Sequence, residues 1–89
     1  MAVNKEIREN LPEDSTVFDN YAYDNSIIGI STDGRVIYSY EKMIEELVKD
    51  NGMSELEAIE WINYNTIRAL SYLGPNAPII CEGLVIWIK

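Results

Sequence analysis

SIIGISTDGRVIYSY, residues 26–40, holds two β-prone runs on either side of Asp33-Gly34, and the way it turns decides the fold. Two turns compete. A two-residue turn at Asp33-Gly34 sets Ile30 against Ile37 but Ile28 against Ser39, mixing apolar and polar side chains on one face. A three-residue loop, Thr32-Asp33-Gly34, with Gly34 as a left-handed bulge residue, sets Ile30 against Val36 and Ile28 against Tyr38. Register follows the buried face, so the three-residue loop is expected. It gathers Ile28, Ile30, Val36 and Tyr38 on one side, with Tyr40 a candidate continuation, and leaves Gly29, Ser31, Arg35 and Ser39 on the other.

Past Glu41 the apolar period becomes helical. Met43, Ile44, Leu47 and Val48 form one stripe, with Glu41, Lys42, Glu45, Glu46 and Lys49 opposite. Asn51-Gly52 stops this helix, glycine tolerating a left-handed cap. Ser54-Glu55-Leu56-Glu57 then has the form of a capping box and predicts a second helix from about Glu55 to Leu73, ended by Gly74-Pro75. The short link makes the two helices an antiparallel pair. APIICEGLVIWIK, residues 77–89, is apolar and β-prone: two strands turning at Glu82-Gly83, or one long strand bulged there.

Upstream, Phe18-Asp19-Asn20 and Tyr23-Asp24-Asn25 repeat an aromatic-Asp-Asn pattern that favours turns, and Thr16–Asp19 is a candidate strand. Residues 1–14 are charged, with Ile7 and Leu11 four apart, and supply little to bury. The expectation is an α+β domain over residues 15–89, ordered ββααβ(β), with helices on one face of a mainly antiparallel sheet. A loosely docked arm, 1–14, precedes it.

At 89 residues one thin core is all the chain can build, and its 47% hydrophobic against 25% charged residues mark a folded protein, not a disordered tail. A net charge of -8 opposes direct binding to nucleic acid or an anionic membrane and favours basic partners. No signal-length apolar run opens the sequence, so a cytoplasmic protein is expected. The single cysteine, Cys81, sits among apolar neighbours and reads as a buried packing residue.

Histidine is absent, which removes Ser-His and Cys-His catalysis and the commonest metal ligand. Cys81 has only Glu82 beside it to act as a base. Asp19 and Asp24 could hold a cation but lack the ligand cadence of an EF-hand loop. Neither Gly29 nor Gly34 opens a phosphate loop. The expectation is therefore no enzyme, no cofactor and no metal.

What remains is a surface. In IEWINYNTIRAL, residues 59–70, helical rotation sends Ile59, Ile62, Thr66, Leu70 and Leu73 to one side, with Leu56 and Ala69 at the edges. Glu57, Trp61, Tyr64 and Arg68 fall within about a 60° sector on the far side. Two readings stay open. The arm or first helix folds over Trp61 as a second small core, or Trp61, Tyr64 and Arg68 face outward as a contact patch with Glu57 and Glu60 as its acidic rim. A homodimer seam would satisfy both. The acids of residues 41–60, including Glu41, Glu45, Glu46 and Asp50, are likewise either a solvated helical face or an imitation of a phosphate row.

DNSIIGIS, DGRVIY, LEAIEW, YNTIRAL and APII, within residues 23–80, resemble a group of small uncharacterised proteins encoded by Firmicutes genomes, prophages and other mobile elements. The likeness covers about two thirds of the chain. It departs at Ser71 and in EGLVIWIK, and it implies a mobile-element setting but no activity or site residue. Together these readings lead to a non-enzymatic protein-binding module, such as an acidic anti-defence inhibitor that mimics nucleic acid and engages a basic host protein. The alternative is a self-associating accessory protein.

Overall fold

Gly34 decides the turn. Its φ of 86° lies where only glycine is comfortable, and its N–H donates to the Ser31 carbonyl at 2.9 Å while the Ser31 N–H donates to the Arg35 carbonyl at 2.8 Å. The loop is therefore the three-residue Thr32-Asp33-Gly34 form. The Ser31 hydroxyl reinforces it, donating to Asp33 and accepting from the Arg35 N–H at 2.9 Å. In the computed structural model, which describes residues 7–82, this turn joins β1 (Ile27–Ile30) to an antiparallel β2 (Val36–Ser39).

Ile30 pairs with Val36 as expected, but an extra residue at Ile28 shifts the next pair to Ile27 with Tyr38. The bulge exchanges the places of Ile27 and Ile28, while Ile30 keeps its expected partner. Ile27 packs against the core, while Ile28 and Ile30 are 51% and 40% exposed, correcting the expectation that both are buried. β1 is a sheet edge, and the helical layer packs on β2.

Ser39 caps α1 (Tyr40–Asn51), its hydroxyl accepting from the Lys42 N–H, and Gly52 at φ 68° ends it. This helix lies against β2, the second helix and the 3-10 segment Tyr21–Ser26, so its buried arc is wide. Met43, Ile44, Glu46 and Leu47 point inward and Val48 is 38% exposed, a rotation away from the expected stripe. The capping box forms as expected: Ser54 Oγ accepts from the Glu57 N–H at 3.1 Å, and Glu57 Oε1 from the Ser54 N–H at 2.9 Å. It starts α2 (Glu55–Trp61), and helical winding continues to Tyr72 before Gly74 at φ 86°.

The helical pair carries the chain back over the sheet, so β3 (Ile79–Cys81) enters parallel to β2. Arg35 Nε fixes the entry, donating to the Ala77 carbonyl at 2.7 Å. The domain is α+β with a three-stranded mixed sheet, β1-β2-β3, not a mainly antiparallel one. Cys81, at the end of β3, is exposed, which corrects its reading as a packing residue. The choice between a hairpin and a bulged strand beyond Glu82 lies outside the described residues.

Thr16–Asp19 pairs with no strand. Its Phe18 instead plugs the core, edge-on to Tyr23 with ring centroids 5.8 Å apart and tilted on Tyr38 at 4.8 Å. Asn20 Oδ1 caps the 3-10 segment from the Ala22 N–H, the turn role its type favours. That segment buries Asp24 completely, and Arg8 from residues 7–14 meets it, Nε to Oδ2 at 2.5 Å. The same guanidinium donates to the Phe18 carbonyl at 2.7 Å and lies 4.3 Å from the Tyr21 ring centre.

Truncating Arg8→Ala leaves the Asp24 charge buried without its cation, a loss of about 3–5 kcal/mol. Thermal unfolding should show a drop of tens of degrees or outright unfolding, and Arg8→Met with Asp24→Leu should recover much of it. An Arg8→Ala protein that melts with the parent would show that the ion pair does not hold residues 7–14 to the domain.

Candidate functional site

A polar residue on an apolar face needs a partner, and Thr66 has one. Its hydroxyl lies 2.8 Å from the buried Tyr23 hydroxyl. The surrounding turn is wound as a π-helix over Ile62–Ile67. This wider winding keeps Ala58, Ile62 and Thr66, each four residues on, along one buried line. Asn65 Nδ2 donates to the Trp61 carbonyl at 3.2 Å, covering an acceptor at the start of the altered ladder. Such segments occur often at functional sites.

Trp61 stands where the α-winding gives way. Its side chain shares a recess with Tyr23 and Thr66, yet the residue is 45% exposed. The indole is thus neither in the central core nor free of the fold, and the residues facing it across its recess come from 17–23, not from the arm 1–14 or the first helix. On its inner side is a recess of about 270 Å³ whose walls include Val17, Phe18, Tyr23, Thr66 and Leu73. On its outer side an open groove of about 770 Å³ is lined by Met53, Glu57, Glu60, Trp61, Asn63, Tyr64 and Asn65.

Tyr64 is 71% exposed, and the Arg68 guanidinium carbon lies 5.0 Å over its ring. Of the residues singled out in the sequence, Glu57, Glu60, Trp61 and Tyr64 therefore share one groove, and Arg68 reaches it through Tyr64. Glu57 has two duties, since one oxygen is held by the capping box. Met53 continues the groove into a recess of about 380 Å³ at the helix junction, where Ile44 and Val48 meet Glu45 and Glu55.

The proposed acidic face comes together less completely. Glu41, Glu45 and Asp50 are exposed, but Glu46 is 8% exposed, with Oε2 4.0 Å from Lys49 Nζ. It is removed from the solvated row because α1 is covered on more than one side. Among the described residues, no three acidic or cysteine side chains are placed to share a metal ion. Asp24, once a candidate ligand, is taken by Arg8. No helix among the described residues is long and apolar enough to cross a membrane. No family profile, curated protein or solved structure matches the chain.

Sequence reasoning missed the Tyr23–Thr66 bond, although threonine among isoleucines and leucines was its signal. Burial pushes both the Tyr23 and Tyr38 phenols above the ordinary tyrosine value of 10.0, with hydrogen bonds from Thr66 and Trp61, and from the Phe18 N–H, pulling the other way. The unfolded chain releases these protons first. The stability these phenols contribute is therefore complete below the unfolded value of 10.0 and lost as pH rises through the raised folded values. Melting followed against pH should fall from about pH 10 upward, less steeply in Tyr23→Phe. An alkaline limb with the same slope in that variant would dissociate Tyr23 from it.

Proposed function

We propose that this chain is a non-enzymatic, cytoplasmic protein-binding module that captures a basic partner on the outer face of its second helix. The observation that carries the reading is the groove beside Trp61, where two aromatic side chains, 45% and 71% exposed, stand next to Glu57 and Glu60. Trp, Tyr and Arg are the types that dominate contact energy at interfaces. Tyr64 gives the fold little, being turned to solvent, whereas a partner desolvating its ring would gain both area and a hydrogen-bonding tip.

The net charge of -8 adds steering toward cations, and Glu41, Glu45 and Asp50 extend the acidic surface along α1. A nucleic-acid-binding host protein is the partner class that such a surface would compete for, and the mobile-element likeness supports an anti-defence role. The rival reading, self-association, is favoured by β1, an edge strand that exposes Ile28 and Ile30.

Trp61 is a poor site for the test because it also walls the recess beside Phe18 and Tyr23, which couples it to stability. Tyr64→Ala and Arg68→Ala are clean, both side chains being exposed, and should shift stability by no more than about 0.5 kcal/mol. Each should abolish salt-sensitive capture of a basic protein from a host lysate. Capture that persists in both variants would refute the module, and concentration-dependent dimers that Ile28→Lys dissolves would favour the rival.

A further inference from the structure

We propose that the groove beside Trp61 seats a lysine or arginine side chain from a segment of the partner protein, a refinement that rests on the binding-module reading above. The lining is selective for an organic cation. Glu57 and Glu60 supply negative charge, Trp61 and Tyr64 supply ring faces with a negative quadrupole, and the Asn63 and Asn65 amides supply acceptor oxygens. Among the described residues, no cationic side chain lines it. An anion would meet two carboxylates and two repelling ring faces. A purely apolar guest would strip water from those carboxylates and return nothing for it.

The chain itself gives an independent indication. Arg68 already lies over the Tyr64 ring at 5.0 Å, so this aromatic attracts a guanidinium in the free protein, and Arg68 is not among the residues that line the groove. Glu60 makes no ion pair among the described residues, and one oxygen of Glu57 is outside the capping box. Both can serve a guest. The charge pattern then argues for a peptide over a lone amine. Past Met53 the surface continues to the recess where Glu45 and Glu55 flank Ile44 and Val48, with Lys49 the one opposing charge among the described residues there. A segment alternating cationic and apolar residues complements both parts, cations to the carboxylates and aliphatics to the floor between them.

The test is calorimetric titration of the unaltered chain with three probes: an acetylated Lys-Leu-Lys-Leu-Lys-Leu peptide, its counterpart with glutamine for lysine, and spermine. The lysine peptide should bind saturably, more weakly as salt rises, and about tenfold or more tighter than the glutamine peptide. Tyr64→Leu, which keeps apolar bulk without the ring, should weaken it about two- to fivefold, and Glu60→Gln by a similar factor, with melting temperatures unchanged. Equal binding of the glutamine peptide, indifference to both substitutions, or spermine binding as tightly as the lysine peptide would each overturn the proposal. Partner capture lost in Tyr64→Ala without lysine-peptide binding would sink the cation seat alone. Capture surviving in Tyr64→Ala and Arg68→Ala would sink the module reading with it.

Discussion

The bond between the Tyr23 and Thr66 hydroxyls, 2.8 Å long and buried, ties the 3-10 segment to the second helix across 43 positions of sequence. Everything at the surface follows from where it places that helix. Tyr23 also meets Phe18 edge-on and lines a recess together with Trp61. One phenol therefore links the core plug to the π-wound turn. A neutral hydroxyl pair suits this position, since each group satisfies the other and no charge is desolvated.

The ion pair of Arg8 with Asp24 works differently. A carboxylate taken fully from water is costly, and the guanidinium offsets that cost only while residues 7–14 stay docked. Its further contacts, to the Phe18 carbonyl and the Tyr21 ring, use the planar fork of arginine in a way lysine could not reproduce. This corner specifies how the chain enters the fold more than it stabilises it. The aromatic core beneath, built from Phe18, Tyr23 and Tyr38, carries the burial that a small domain needs.

Against this rigid interior the outer face of the second helix is open. Tyr64 and Trp61 stay exposed in a chain with few apolar residues to spare, and among the described residues Glu57 and Glu60 make no ion pair. Exposed aromatics and unpaired acids are what a domain selected for stability alone would remove. Their retention beside one groove is the physical basis for reading the face as a contact surface.

The sequence by itself determined the three-residue turn at Gly34, the capping box at Ser54 and Glu57, and the helix stops at Gly52 and Gly74, while it left open which way Trp61 faces. Each feature it determined is a local matter of backbone conformation or short hydrogen bonds. Only the tertiary structure decided the bulge at Ile28, the rotation of α1 that buries Glu46 and frees Val48, the parallel entry of β3 and the exposure of Cys81. These depend on which surfaces the helices and the 3-10 segment happen to cover. Periodicity cannot count neighbours on each side of an element, and a helix packed on more than one side buries an arc wider than its apolar stripe.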